Sequence, residues 1–159
     1  MLSATPCFAQ RPGWTNAMPQ KTLQQFADNL MADANATLMR FLGLQVKGCE
    51  DARQLLKQLK QGFAARPQAT PQALQVGLRF LQQADLRAAV KNLRVPLQWL
   101  LGGRDTLVPA SLQNALQQLD VDIPVTLLAD AGHVPFLSHP LACLQVLEQL
   151  TIQTRVAAV

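Results

Sequence analysis

The sequence predicts an α/β fold in two unlike parts: a helical segment, then short strands alternating with helices in a parallel sheet. Three features of the chain point there. Across residues 20–93 apolar side chains recur at helical spacing, whereas from Val95 onward they gather into short runs. Two of those runs lead into glycine-containing loops, Gly102-Gly103-Arg104-Asp105 and Ala131-Gly132-His133. The order strand, helix, strand, helix requires parallel strands joined by crossovers.

In the helical part, Leu23, Phe26 and Leu30 form one apolar stripe and Leu38, Phe41 and Leu42 a second. Leu55, Leu59 and Phe63 form a third, and Leu74, Leu78 and Leu81 a fourth. Thr70-Pro71 supplies an N-cap followed by proline at the first helical position. Asp85 stands where it can cap a short helix over residues 86–93. Breaks are expected at Pro12-Gly13, Gly43, Gly48 and Ala65-Arg66-Pro67. No stripe encircles its helix, so these helices are expected to pack as a layer on something else.

In the second part, residues 96–101 form a near-continuous apolar run, as a strand buried on both faces would. Residues 110–119 read as a helix with Leu112, Leu116 and Leu119 on one side, and residues 124–128 as a second strand. Residues 140–151 read as a closing helix, and a strand stub at residues 2–3 can join the sheet. Reactive groups in such sheets collect beyond the carboxyl ends of the strands, where Asp105 and His133 both fall.

At 159 residues the chain is of one-domain size, able to bury about 70% of its unfolded surface. Its 49% hydrophobic content is that of a globular protein rather than a disordered one. No apolar run approaches the roughly 20 residues of a membrane helix, and the first residues lack the basic start of a signal peptide. Cys7, Cys49 and Cys143 make no metal motif and cannot all pair, which suits a reduced, cytosolic setting. His133 and His139 have no third partner that would make a zinc site. Phosphate-loop and dinucleotide patterns are absent, so nucleotide or nucleic-acid binding has no support. Residues 1–95 carry 12 Lys/Arg against 5 Asp/Glu, and residues 96–159 carry 2 against 5. A basic first part is either a solvated helix face or a surface for an acidic partner.

Asp105 and His133, 28 residues apart, are two members of a hydrolase triad in the order acid, then base. A carboxylate fixes the tautomer of the imidazole and stabilises the imidazolium that forms, and an imidazole exchanges its proton near neutrality. Taken singly, Asp105 reads as a turn aspartate and His133 as a loop histidine; together, after successive strands, they read as a catalytic pair. The third member is not there. The sequence contains no Gly-x-Ser-x-Gly turn, and Ser3, Ser111 and Ser138 stand in no such context. Cys143, beside Leu144 and Leu147, reads as core, and His139 as a cap or packing residue at the start of the last helix.

The chain resembles the C-terminal portion of the α/β-hydrolases and, more narrowly, the pimeloyl-acyl-carrier-protein methyl ester esterases of biotin synthesis. Gly103-x-Asp105-x-Leu107-Val108-Pro109 and Ala131-x-His133-x-Pro135-Phe136 match the broad family. Ser3-x-x-Pro6-Cys7-Phe8 and Arg40-Phe41-Leu42-x-Leu44-Gln45 narrow it. The resemblance implies three regions: a core strand end and lead-in over residues 1–15, a helical lid over 16–84, and the C-terminal core over 85–159. It implies Asp105 and His133 as catalytic acid and base, with no metal and no cofactor. Phe41, Leu42, Gly43, Leu44, Gln45, Leu107 and His133 would contact the substrate. Arg40, Arg53 and Lys57 would meet an acyl carrier protein bearing a pimeloyl methyl ester, in a cytoplasmic enzyme that is monomeric at full length, with no membrane partner. The family's first half, with its nucleophile, is not matched, so these residues alone are expected to be inactive. Two other readings stay open: another lidded hydrolase of lactones, thioesters or C–C bonds, or a non-catalytic remnant that binds acyl carrier protein.

Overall fold

The computed structural model describes the backbone of residues 1–119 and 123–156, with side chains as far as residue 152. Four helices come first: α1 (Gln20–Ala32), α2 (Ala34–Gln45), α3 (Ala52–Ala64) and α4 (Pro71–Gln83). The short α5 (Arg87–Lys91) leads to β1 (Trp99–Gly102), α6 (Leu112–Gln117), β2 (Val125–Leu128), α7 (Pro135–Ser138) and α8 (Pro140–Val156).

The strands pair in parallel, with Trp99 opposite Val125 and Gly102 opposite Leu128. On the other side of β1, Leu100 N–H donates to Met1 O and Ser3 N–H to Leu100 O, both at 2.9 Å. The expected stub at residues 2–3 is thus a single parallel bridge between Leu2 and Leu100. Strand β1 begins three residues later than the apolar run suggests. Pro96 has no N–H to give the ladder, and Trp99 N–H opens the pairing by donating to Pro124 O at 2.9 Å.

Trp99, Leu100 and Leu101 are completely buried, and the strand's alternation sends them to opposite layers. Trp99 and Leu101 pack with Leu112, Ala115 and Leu116 of α6 and with Cys7 and Trp14. Leu100 packs with Cys143 and Val146 of α8. Each large apolar side chain buried here contributes about 1.5–3 kcal/mol. Helix α6 is shorter than residues 110–119 because both its ends wind more tightly. Leu112 N–H donates to Pro109 O, and Leu119 N–H to Leu116 O, in three-residue turns.

Two expected boundaries are corrected. Gly43 does not break the chain; it lies inside α2, which ends at Gln45. The break falls at Asp33, in extended conformation (φ −151°), whose carboxylate accepts from Ala36 N–H at 2.9 Å and so starts α2. An interior glycine costs a helix about 1 kcal/mol, too little to outweigh the neighbours that hold α2 in place. Asp85 is not the N-cap: Leu86 takes that position without a side-chain cap, Asp85 one residue earlier accepts from Arg87 N–H at 3.3 Å, and α5 stops at Lys91 rather than residue 93.

The helical segment is fastened to the sheet layer at two places. At its base, Arg11 donates to the carbonyls of Gln82 and Gln83 at 3.0 and 2.9 Å. Arg87 grips Asp85 through two hydrogen bonds of 2.8 and 2.7 Å while lying 5.5 Å from the Trp14 ring centroid. At its far side, Val46, Cys49 and Leu55 pack against Val134, and Arg104 Nη1 donates to Gly48 O at 3.0 Å. No helix among the described residues is long and apolar enough to cross a membrane.

Candidate active site

Asp105 and His133 reach each other across neighbouring loops, with His133 Nδ1 2.8 Å from Asp105 Oδ2. The parallel pairing of β1 and β2 sets this up, because both strands end at the same edge and each hands its loop a few residues later. The loops can cross so closely because glycines stand at the crossing. A Cβ on Gly102 would sit 2.2 Å from Gly132 O, and one on Gly132 would sit 2.8 Å from Lys47 O.

The carboxylate of Asp105 is buried and divided between two tasks. Its Oδ1 accepts from the backbone N–H groups of Leu107 and Val108, at 2.8 and 3.0 Å. Its Oδ2 faces the imidazole. The turn aspartate and the partner of histidine are therefore the same residue in the same conformation. A carboxylate only accepts, so the proton of the neutral imidazole is on Nδ1 and Nε2 is left as the basic nitrogen. The histidine loop is held from the helical segment as well, since His133 N–H donates to Gln45 O at 3.1 Å.

Beside the pair lies a cavity of about 500 Å³, walled by α1, α2, α4, the Ser3–Phe8 stretch, Leu107, Val108 and His133. Its lining is almost wholly apolar, the kind of space that takes the hydrocarbon part of a small molecule. Phe26 and Phe41 meet in its wall with ring centroids 5.5 Å apart and tilted by 54°.

Of the seven residues expected at the substrate, Phe41, Leu44, Leu107 and His133 line this cavity, and Leu42, Gly43 and Gln45 do not. The helical period explains part of the split. Leu38, Phe41 and Leu44 recur every three residues on one face of α2, whereas Leu42 and Gly43 turn away from it; Gln45, one turn after Phe41, shares that side but is the last residue of the helix. Gln45 meets the site through its backbone carbonyl instead. Arg40, Arg53 and Lys57 are all exposed. Arg53 and Lys57 lie one turn apart on α3, and Arg40 donates to Thr37 Oγ1 at 3.1 Å. None of the three forms a salt bridge among the described residues.

Sequence reasoning missed much of the wall: Phe8, Met18, Phe26, Leu30, Phe80 and Ser3. Phe26 and Leu30 belong to one stripe with Leu23, and helical spacing cannot distinguish a side chain facing a cavity from one in a packed core. Ser138 and His139 bond each other at 2.8 Å beside α8. Cys7, Cys49 and Cys143 are free and buried, and burial pushes the Cys143 thiol pKa up, away from reactivity. Among the described residues, no three His, Cys, Asp or Glu side chains gather as a metal would need.

The profile of the alpha/beta hydrolase family matches residues 2–146. The chain is 41% identical over 139 residues to the pimeloyl-[acyl-carrier protein] methyl ester esterase of Methylococcus capsulatus, a match covering 87% of this chain and 54% of that protein. It is 38% identical over 140 residues to the same-named protein of Nitrosomonas europaea, covering 88% and 56%. For Photobacterium profundum the figures are 40% over 147 residues, covering 92% and 58%. The chain thus spans about half the length of the curated relatives it matches. In three dimensions it superposes on an esterase from Exiguobacterium antarcticum with a TM-score of 0.78 at 18% identity, covering 93% of this chain and 54% of that one.

Proposed function

The chain belongs to the alpha/beta hydrolase family, and from that membership we propose that it forms the acid-and-base part of an esterase acting on the methyl ester of pimeloyl-acyl carrier protein. The observation that carries the reading is the 2.8 Å contact of His133 Nδ1 with Asp105 Oδ2 beside an apolar cavity. In this reading residues 1–15 are a core strand end and lead-in, residues 16–84 a lid, and residues 85–159 the C-terminal core. The names of the relatives support the ester and the carrier-linked substrate, and biotin synthesis is the pathway this implies, in the cytoplasm.

The chemistry follows from the geometry. Asp105 holds Nδ1–H, so Nε2 faces outward to take the proton of a serine hydroxyl as its oxygen attacks the ester carbonyl. The same imidazole returns that proton to the departing methanol, leaving an acyl-enzyme. It then takes a proton from the attacking water and passes it to the departing serine oxygen, releasing the acid and restoring the serine hydroxyl. The aliphatic part of the substrate fills the cavity along Phe41, Leu44 and Leu107. The exposed Arg40, Arg53 and Lys57 draw in the acidic carrier protein.

None of these 159 residues forms the Gly-x-Ser-x-Gly turn that would present the serine. By themselves they are expected to leave esters uncleaved. The decisive experiment joins them to the unmatched part of one relative, which is expected to supply the turn. The chimera should hydrolyse a pimeloyl-carrier methyl ester, and His133→Ala should abolish that activity. A chimera that folds yet remains inactive, or one indifferent to His133→Ala, would refute the assignment.

A further inference from the structure

Ser3 combines three properties found together nowhere else among the described residues. It is the one non-glycine residue there with positive φ, +42°, a conformation that side chains other than glycine avoid. It is 6% exposed, and its hydroxyl oxygen is buried with no hydrogen-bond partner. It also lines the same cavity as His133. Backbone strain of this kind gathers at ligand sites, and a buried hydroxyl without a partner is costly to keep.

The other two orphaned side-chain atoms among the described residues differ. Arg11 Nε has a carboxylate oxygen of Asp85 at 3.9 Å. Gln98 Oε1 lies outside the cavity wall, on a side chain whose Nε2 already donates to Thr126 at 3.2 Å. Within the wall, the Thr5 hydroxyl is committed to Cys7 O at 3.0 Å, and Thr22 is largely exposed. Ser3 is therefore the buried, uncommitted donor in a largely apolar chamber.

We propose that the Ser3 hydroxyl is a ligand-recognition group, donating a hydrogen bond to the carbonyl oxygen of an aliphatic ester whose hydrocarbon chain fills the cavity. A neutral donor suits a neutral carbonyl acceptor, and the ligand completes a hydrogen bond that the fold leaves open. Ser3 is not a nucleophile here, since no glycine-flanked turn presents it and no covalent step is required. The inference rests on the cavity being an acyl site and adds which group reads the polar end.

The test uses the 159-residue chain with two probes, methyl hexanoate and hexane, titrated by NMR, together with thermal melts. Wild type should bind both. Ser3→Ala should weaken methyl hexanoate by about 3- to 10-fold, the effect of one neutral hydrogen bond, and leave hexane within roughly twofold. Its melting temperature should equal or exceed that of wild type, because an unpartnered buried hydroxyl has been removed. Ser3→Gly removes the hydroxyl and the strain together and should show the same loss for the ester. Equal weakening of both probes, or unchanged ester binding with a lowered melting temperature, would overturn the proposal and make Ser3 structural. Failure of wild type to bind even hexane would instead overturn the acyl-site reading beneath it.

Discussion

His133 and Gln45 meet through their backbones, the His133 N–H donating to the Gln45 carbonyl at 3.1 Å. The base of the proposed reaction is thus oriented from two directions, by Asp105 from the sheet and by the end of α2 from the helical segment. Gly132 makes the approach possible, for a Cβ there would lie 2.8 Å from Lys47 O and 2.9 Å from Cys49 Sγ. Gly132→Ala should therefore push the histidine loop off the α2–α3 turn. We expect a stability loss of about 1–3 kcal/mol, as for overpacking, and faster hydrogen exchange at the His133 amide. Unchanged exchange would show that the loop does not depend on that turn.

Asp105 separates two effects that one variant alone would confuse. Asp105→Ala strands the buried N–H groups of Leu107 and Val108 and should cost roughly 2–4 kcal/mol in urea unfolding. Asp105→Asn keeps an oxygen for those groups but offers the imidazole a donor in place of an acceptor. Its stability should stay near wild type, while activity in the chimera falls by on the order of 10⁴. Equal destabilisation by both changes would remove the distinction between turn and imidazole.

The base of the helical segment gives a pH signature. The hydrogen bond from Arg87 lowers the Asp85 pKa from 3.8 to about 2. A carboxylate depressed on folding contributes stability that is complete above its unfolded value and is lost as pH falls through its folded one. The melting-temperature difference between wild type and Asp85→Asn should accordingly be constant above about pH 5 and shrink between about pH 4 and 2. A difference that persists at pH 2 would mean that charge is not what Asp85 contributes.

Carrier recognition and chemistry should come apart in the chimera. Arg40→Glu with Arg53→Glu should raise KM for the carrier-bound ester about tenfold or more at low salt, and less at high salt. Turnover of a small soluble ester should change by less than about twofold, because exposed charges steer an encounter without touching the reacting bond. Equal loss on both substrates would assign these arginines to folding.

Much of the sheet and the meeting of Asp105 with His133 was legible in the sequence because the signals there are local. Residues 96–101 read as a strand buried on both faces, and Trp99, Leu100 and Leu101 are fully buried. Asp105 and His133 follow successive strands, and parallel pairing alone brings their loops to one edge. The cavity was less legible. Its wall draws on residues from Ser3 to His133, and the same helical spacing serves a packed stripe and an open one. The strain at Ser3 left no trace in composition, since a serine after a short apolar stretch is unremarkable until its φ is known. Gly43 misled for a related reason, because a glycine signals a break only where neighbouring packing does not hold the helix together.

The clasp of Arg11, Asp85 and Arg87 brings the two ends of the helical segment to one spot, where Leu86 N–H also donates to Pro6 O at 2.8 Å. Whatever lies between leaves the sheet layer and rejoins it through nearly the same doorway. A segment of different length, or with a different arrangement of helices, could enter and leave there, provided that it still met the Arg104 and His133 loops as the α2–α3 turn does. The chain is organised as a socket and a cartridge: the sheet side carries Asp105 and His133, while α1, α2 and α4 supply most of the chamber wall. Exchanging the cartridge would reset the shape of the chamber, and the histidine loop would keep its second support only if the new segment again brought a carbonyl to the His133 N–H.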